Sequence, residues 1–289
     1  MLTLVLQCFF AGLSEGCVYA LIGLGLVIIH RTSQVLYFAQ GTLAMIGGVA
    51  LYALCSYFHM NIALAIPIGL AICVIFGLLS QWLIVVPLLD RGVSHFSISI
   101  VTIGISLILD SAVMILFGKE ALTVPSFSGD KPIGVFGASV IPQELWIFGS
   151  AVICLAGIFA YFKKTRLGKA MSAIGEHQLL ALAMGLPVNL LFSYAFILSA
   201  LIAGLAGMVT TPLSYTGYWI GTRLTVKGFV AAAIGGINDP VGAIMGGILV
   251  GILESFTAGF VSSGAKDLIA LILLLGVLWW KPEGLKKEI

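Results

Sequence analysis

Apolar runs of about 20 residues recur along almost the whole chain, and they constrain its fold more than any other feature. A helix that crosses a bilayer needs roughly 20 mostly apolar residues. Hydrophobic residues fill 60% of the 289 positions and charged residues only 9%, against about 25% in soluble domains. A soluble chain of this length could not bury so much apolar surface, so lipid is the expected solvent for most of it.

These runs predict an all-α polytopic membrane protein with about eight transmembrane helices and one irregular or half-span segment near 224–237. Residues 1–289 are expected to form a single transmembrane domain, because the longest stretch outside the membrane, at roughly 27 residues, is too short for a core of its own. The predicted spans lie near 4–29, 35–58, 62–87, 96–118, 144–162, 190–212, 241–262 and 266–280.

The distribution of positive charge predicts the orientation, because Lys and Arg concentrate in cytoplasmic loops. The cluster KKTRLGK marks residues 163–189 as a cytoplasmic loop, and alternation of the spans makes 119–143 an external loop. The N-terminus is then expected outside and the C-terminus in the cytoplasm. The cytoplasmic charges would be Arg31, Arg91, Lys163, Lys164, Arg166, Lys169, Lys281, Lys286 and Lys287, and the external ones Lys119, Lys131, Arg223, Lys227 and Lys266.

Acidic residues inside the apolar runs are candidates for a solute path. A charge at bilayer depth costs about 2.5–3.5 kcal/mol on insertion scales, so each acid should face a cavity, pair with a polar group or be protonated. Glu15 lies near the middle of its span and is the best candidate to line a path, for example by facing an ammonium group. Asp110 and Glu254 lie nearer the ends of their spans, where a structural or interfacial role is expected.

The stretch VLYFAQGTLAMIGG, residues 35–48, contains a polar interruption of a second span. A broken helix is tolerated inside a membrane where it lines a cavity, and it can present backbone groups to a solute. Tyr37, Gln40, Gly41 and Thr42 are therefore candidate path residues. The alternative is a helix that enters at the interface, with Tyr37 as an aromatic anchor.

Glycine pairs at GxxxG spacing occur at Gly12/Gly16, Gly242/Gly246 and Gly247/Gly251. Such pairs let helix backbones approach closely, although the same glycines could give a flexible backbone that lines a path. The sequence GLSEG at 12–16 also matches the GxSxG hydrolase motif, but a membrane span is not the strand-to-helix turn that this motif requires. An intramembrane protease using Ser14 would need a base at similar depth.

No catalytic residue, metal site or cofactor is assigned to the chain. It contains no GxxxxGKS or GxxxxGKT sequence, so it should not bind ATP by a P-loop. The five cysteines lie in apolar runs without metal-ligand spacing and are expected to be small buried hydrophobes. No basic patch with interleaved aromatic residues suggests a nucleic-acid partner.

The stretch GEHQLLALAMGLP, residues 175–187, is too short to span a membrane and too apolar for a solvated loop. As a helix it would place Leu179, Leu182 and Leu186 near one face, at i, i+3 and i+7. Gly185 and Pro187 would end the helix. This face must be buried against the membrane surface, the rest of the chain or another protein.

The longer run TRLGKAMSAIGEHQLLALAMGLP resembles the cytoplasmic loop of ABC importer permeases of the branched-chain amino acid type. Together the similar blocks cover nearly the whole chain. They are GLSEGCVYALIGLGLVIIHRTSQVLYFAQGTLAMIGG (12–48), LIAGLAGMV (201–209), VAAAIGGINDPVGAIMGGILVGILE (230–254) and KPEGL (281–285).

The resemblance implies a coupling helix that inserts into a groove on an ATPase subunit, with Glu176 and Gly185 at the positions of the family's acid and glycine. Its implied partners are a second related permease subunit, two cytoplasmic ABC ATPases that bind the ATP, and an external solute-binding protein. The implied location is a bacterial inner membrane, and the implied solute is a branched-chain amino acid. The residues expected to couple to the ATPase are Glu176, Leu179, Leu182, Gly185 and Leu186.

The sequence also departs from the family pattern. Thr42 stands where the family often has an acid, and Glu15 and Asp110 stand where neutral or different polar residues are expected. These departures leave urea, amides and other small amino acids open as solutes. They also leave open a stand-alone secondary transporter, in which Glu15 and Asp110 would be proton or cation sites.

Overall fold

The computed structural model describes residues 2–129, 131–135, 138–176 and 178–280, which leaves the KPEGL motif outside the described residues. Most of the described chain is helical, which confirms the predicted all-α class. The helices are α1 (Leu2–Ser33), α2 (Gln40–Ser56), α3 (Ile62–Ser80), α4 (Val86–Asp90), α5 (His95–Phe117), α6 (Pro142–Lys164), α7 (Arg166–Glu176), α8 (Gln178–Ala183), α9 (Val188–Ser214), α10 (Ile220–Gly235), α11 (Pro240–Phe260) and α12 (Lys266–Trp280).

Six segments of the described chain are long and apolar enough to cross a membrane, judged by length and composition. The spans predicted at 35–58 and 266–280 form the shorter helices α2, with 17 residues, and α12, with 15. The segment near 224–237 forms most of α10, a regular helix of 16 residues. The six long segments are Thr3–Ser33, Ile62–Asp90, His95–Phe117, Pro142–Lys164, Val188–Ser214 and Pro240–Phe260.

Helix α1 lies at the centre of the bundle, where it packs against α11, α9, α10 and α6. Inside the protein, 83% of its most apolar stretch is buried, against 17% for α6. A helix that is apolar on all sides can be a core helix as well as a membrane span. Glu15 therefore lies on the central helix of the bundle, where its side chain is half-buried.

A seam of glycines joins α1 to α11. A Cβ atom added to Gly16 would lie 2.8 Å from the Cα of Ile248, and one added to Gly12 would lie 2.8 Å from the Cα of Ile252. Gly247 and Gly251 face the same seam from α11. Two of the predicted GxxxG pairs thus occupy the two sides of one helix contact, and they allow the close approach expected of small residues.

Residues 35–39 join α1 to α2 as a buried or half-buried, non-helical segment, so the span predicted from residue 35 is helical only from Gln40. Buried backbone groups need hydrogen-bond partners, and hydroxyl side chains supply them here. The Leu36 N–H donates to Ser99 Oγ at 3.0 Å, and the Phe38 N–H donates to Thr102 Oγ1 at 2.9 Å. This bonding holds the start of α2 deep in the bundle.

The two ends of the bundle differ. At one end lie α7 and α8, between α6 and α9. At the other end, residues 119–141 form turns and a short antiparallel hairpin, with β1 (Ile133–Val135) paired to β2 (Ala138–Val140). An isolated bridge between Leu122 and Thr216 ties these turns to the chain just after α9. A 3-10 turn at Ser263–Ala265 leads into α12 at this same end.

Candidate functional site

A cavity of about 260 Å³ lies between α1, α2, α9, α10 and the first residue of α12. Val18, Ile220 and Leu224 give it apolar wall, while Thr210 and Ser214 contribute hydroxyl groups. Its charged lining residues are Glu15, Arg223, Lys227 and Lys266. The cavity thus combines apolar wall with convergent polar and charged groups, and small-molecule sites also combine these two features.

Glu15 lines this cavity and forms an ion pair with Lys266. Their side chains are 33% and 24% exposed, respectively. The carboxylate uses Oε1 for this contact, and its Oε2 atom is buried and has no hydrogen-bond partner among the described residues. The sequence predicts that a carboxylate at this depth faces a cavity or pairs with a polar group. Glu15 does both, since it lines the cavity and pairs with Lys266.

Lys227 is buried on α10 and has three acceptors around its ammonium group. Nζ lies 2.8 Å from Glu254 Oε2, 3.1 Å from the Tyr19 hydroxyl and 2.9 Å from Asp267 Oδ1. The Tyr19 hydroxyl in turn donates to Glu254 Oε2 at 2.8 Å. Glu254 is fully buried, which only a paired carboxylate tolerates.

Arg223 completes the charged group, with its Nη2 atom 3.0 Å from Asp267 Oδ2. This outermost pair is the most open one, since both side chains are 55% exposed. We call the whole set the ion-pair cluster, and its three cations and three acids balance to zero formal charge. Its members are Glu15, Arg223, Lys227, Glu254, Lys266 and Asp267.

The sequence grouped Lys227 with the external charges, and the structure buries it beside Glu254. The side of the membrane on which Lys227 lies stays a prediction. The charge tally required the segment near 224–237 to cross the membrane or dip into it, and in the structure α10 packs on α1, α2 and α11. A signal was present in the sequence, because Lys227 and Glu254 are opposite charges in two neighbouring apolar runs. Pairing such charges is a general requirement at membrane depth.

The candidate path residues at the start of α2 lie away from the cavity lining. Tyr37 is fully buried, with its hydroxyl 2.7 Å from Ser80 Oγ. Gln40 donates from Nε2 to the Ser199 carbonyl at 3.1 Å and accepts from Ser199 Oγ at 2.7 Å. Gly41 donates its N–H to Thr225 Oγ1 at 3.0 Å. These contacts tie α2 to α3, α9 and α10, and a role in the solute path stays a prediction.

Thr42 belongs to a second polar group at the junction of α2, α5 and α10. Its hydroxyl lies 2.7 Å from Ser106 Oγ and 3.4 Å from Asp110 Oδ1. Thr222 donates to the other oxygen of Asp110 at 2.7 Å. The resemblance leads one to expect an acid at position 42, and here a carboxylate reaches the same place from α5. Asp110 therefore has hydrogen-bond partners on both oxygens.

Helices α7 and α8 carry the predicted coupling segment. The buried face of α7 carries Gly168, Met171 and Ile174. Gly175 packs on the last turn of α1, since a Cβ atom there would lie 2.5 Å from the Arg31 carbonyl oxygen. Helix α7 thus contacts α1, which also lines the cavity.

The end of α8 has the geometry that the sequence predicts for Gly185. Its φ angle is +78°, its N–H donates to the Leu182 carbonyl at 2.9 Å, and the Leu186 N–H donates to the Ala181 carbonyl at 3.1 Å. These two bonds form a Schellman motif, which favours glycine at the left-handed position. Pro187 follows and prevents the helix from continuing.

The surface of α8 is apolar and exposed. Leu180, Leu182 and Met184 are exposed, and Met184 reaches 80%. Leu186 is half-buried and Glu176 is exposed at the end of α7, while the side chain of Leu179 lies outside the described residues. Clustered exposed apolar side chains of this kind mark interaction surfaces. Coupling to an ATPase stays a prediction at this point.

A family described as "Branched-chain amino acid transport system / permease component" matches residues 8–278. The chain belongs to this family. It is 27% identical to the high-affinity branched-chain amino acid transport system permease protein LivH of Escherichia coli, over 97% of this chain and 94% of that protein. The related BraD permease of Pseudomonas aeruginosa is also 27% identical, over 95% and 93% of the two chains.

A solved structure with a similar fold is PsaBC from Streptococcus pneumoniae in complex with Fab. It matches with a TM-score of 0.50 and 16% sequence identity, and the match covers 96% of this chain and 92% of that one. This likeness concerns the fold alone. The family match identifies the described helix bundle as the permease component of a transport system.

Proposed function

We propose that this permease imports a branched-chain amino acid and forms half of an ATP-driven translocation path. The observation that carries the proposal is the cavity beside α1. It combines apolar wall from Val18, Ile220 and Leu224 with both signs of charge at Glu15 and Lys266. An aliphatic amino acid has the same combination of groups, and the relatives LivH and BraD are named for branched-chain amino acid transport.

The exposed surface of α8 supports the proposal that cytoplasmic ATPases drive transport. Leu182 and Met184 have no cover within the described chain, and a groove on an ATPase would bury them. Glu176 and Gly185 flank this surface. The segment from Glu176 to Leu186 would then be the coupling element, and ATP itself would bind only to the partner subunits.

The remaining partners follow from the same proposal. A second related permease would supply the other half of the path, and an external solute-binding protein would deliver the solute. The N-terminus would lie outside and the C-terminus in the cytoplasm of a bacterial inner membrane. The Lys and Arg residues beside α7 support this orientation, and it places the cavity toward the external side.

Alternating access would couple these parts. When the ATPases close, they would move α7 and α8, and α7 would displace α1 through the contact between Gly175 and Arg31. Because α1 packs on α9, α10 and α11, its movement would change the shape of the cavity. A transition of this kind is a repacking between discrete states, not a continuous deformation.

Reconstitution of the purified complex in proteoliposomes tests this function. We expect uptake of radiolabelled leucine that requires ATP, the solute-binding protein and this chain together. Uptake by this chain alone, driven by an ion gradient, would contradict the proposal and favour the secondary transporter with Glu15 and Asp110 as ion sites. Uptake of urea or acetamide in place of leucine would retain the importer but correct its solute.

A further inference from the structure

We propose that the Glu15–Lys266 ion pair is the binding site for the charged groups of a zwitterionic solute, and that the solute opens this pair by exchange. The solute's ammonium group would bind Glu15 and its carboxylate would bind Lys266, while its side chain occupies the apolar wall of the cavity. This inference rests on the proposed function and assigns the residues that recognise the solute.

The two lysines of the ion-pair cluster differ in how many of their hydrogen-bond donors remain unused. A lysine ammonium group has three N–H donors, and Lys227 has three acceptors within 3.1 Å, namely Glu254, Tyr19 and Asp267. It therefore has no donor left for a solute. Removing Lys227 would leave the fully buried Glu254 carboxylate without its cation, so Lys227 is a fixed part of the cavity wall.

The Glu15–Lys266 pair keeps unused bonding capacity on both sides and lines the cavity. Among the described residues, the other unpartnered oxygen of the cluster, Glu254 Oε1, belongs to a fully buried residue that does not line the cavity. Within the described chain, the Lys266 ammonium group has Glu15 as its one hydrogen-bond partner, and Glu15 Oε2 has none. A buried carboxylate oxygen without a partner is unfavourable. The last bond of a Glu side chain has a broad, roughly two-fold torsion, so its rotation would turn either oxygen of Glu15 toward the cavity, where an ammonium group would satisfy it.

Exchange with a zwitterion keeps the charge balance of the site. The solute brings one positive and one negative group. Glu15 would exchange the Lys266 ammonium group for the solute's ammonium group, and Lys266 would exchange the Glu15 carboxylate for the solute's carboxylate. A solute with only one of these groups would leave the other member of the pair unpaired in a low-dielectric cavity, which costs far more than in water. The site should therefore select zwitterions over the matching amine or carboxylate.

Protection from a thiol reagent measures this selectivity directly. Ser214 is exposed and lines the cavity, so Ser214→Cys provides a reactive thiol there. The unmodified chain, which keeps Ser214, measures the background labelling of the native cysteines. In the complete complex with its ATPases, leucine should slow maleimide labelling at position 214. At the same concentration, 4-methylpentanoate and 3-methylbutylamine, which each lack one charge, should not.

Substitutions at the pair connect this protection to Glu15. Glu15→Gln keeps the size of the side chain but loses its charge, and we expect leucine to protect about tenfold more weakly or not at all. Glu15→Asp keeps the charge and should retain part of the protection. The matched control is Glu144→Gln, which makes the same change at a buried carboxylate on α6 outside the cavity lining.

A charge swap separates solute binding from a purely structural ion pair. Glu15→Lys with Lys266→Glu rebuilds an ion pair but exchanges the positions of its charges. If the pair recognises the solute, the swapped complex should assemble yet show neither protection nor leucine uptake. Restored uptake in the swapped complex would overturn the inference and make the pair a structural latch.

The remaining outcomes distinguish this inference from the proposed function. Leucine uptake and protection that are unchanged in Glu15→Gln would overturn the inference and leave the proposed function standing. Protection by the amine or the carboxylate as strong as that by leucine would overturn the zwitterion selectivity. Failure of the unmodified complex to take up leucine would overturn both proposals.

Discussion

Lys227 shows how a single residue can be buried in an apolar bundle without loss of its charge. Its ammonium group is held by Glu254, Tyr19 and Asp267, and the Tyr19 ring also lies beneath it, with Nζ 5.1 Å from the ring centroid. Loss of one member of a buried pair leaves the other charged and unpaired, at a cost of about 3–5 kcal/mol in proteins. The fully buried Glu254 carboxylate therefore depends on Lys227, whereas Lys227 also has Asp267 as a second carboxylate partner.

This dependence predicts a measurable coupling between the two residues. Lys227→Met should lower the Tm of the detergent-solubilised complex strongly, because it leaves Glu254 unpaired, and the double variant Lys227→Met with Glu254→Gln should regain part of that loss. The control is Arg223→Met, which breaks a pair that is 55% exposed and is worth about 0–1 kcal/mol. If the loss of Tm in the double variant equals the sum of the losses in Lys227→Met and Glu254→Gln alone, the two residues act independently and the prediction is wrong.

At the scale of elements, the contact between α1 and α11 depends on the absence of side chains. Gly16→Ala should destabilise the protein, because the new Cβ atom would lie 2.8 Å from the backbone of Ile248, where no flexible side chain can move away. Gly104→Ala on α5 is the matched control, since no atom lies within 4 Å of its Cβ position. The measurement is the yield of monodisperse protein and its Tm. Equal behaviour of the two variants would contradict the packing role of the seam.

The contact between α7 and α1 predicts an uncoupled variant. Gly175→Val should separate α7 from Arg31 and so reduce leucine uptake more than ATP hydrolysis in proteoliposomes. Gly157→Val on α6, where a Cβ atom would meet nothing within 4 Å, should leave the ratio of uptake to hydrolysis near that of the parent complex. A normal ratio in Gly175→Val would show that the signal takes another route from the coupling segment to α1.

At the scale of the whole molecule, the sequence could predict features that depend on neighbouring residues, but not contacts between residues far apart along the chain. Apolar runs and glycine spacing are local patterns, and they predicted the helical class and close helix packing at the glycine pairs, but not which helices would meet there. The ion-pair cluster brings Glu15 together with Lys266 across 251 positions, and no local pattern records such a contact. The non-helical segment at 35–39 could not be predicted for a related reason, because its hydrogen-bond partners Ser99 and Thr102 lie on α5, far away in the sequence.

The coupling segment has one feature that the sequence predicted, the end of α8, and one that it did not, the exposed surface of α8. Gly185 and Pro187 predicted the end of α8 because the chemistry of a helix end is local. The direction in which α8 faces depends on how α7 packs on α1 and α6, and the exposure of Leu180 and Met184 therefore required the structure. Whether a partner covers that surface is a property of the assembled complex.

Cross-linking from α8 in the assembled complex tests the central claim, that an ATPase drives this permease through the coupling segment. Leu182→Cys places a thiol on the exposed surface of α8, and Leu107→Cys places one at an exposed position of α5 as the control. With a short thiol-directed cross-linker and all subunits present, Leu182→Cys should capture an ATPase subunit in a yield that changes when ATP is added, and Leu107→Cys should not. An intact complex in which Leu182→Cys captures no ATPase would contradict the claim.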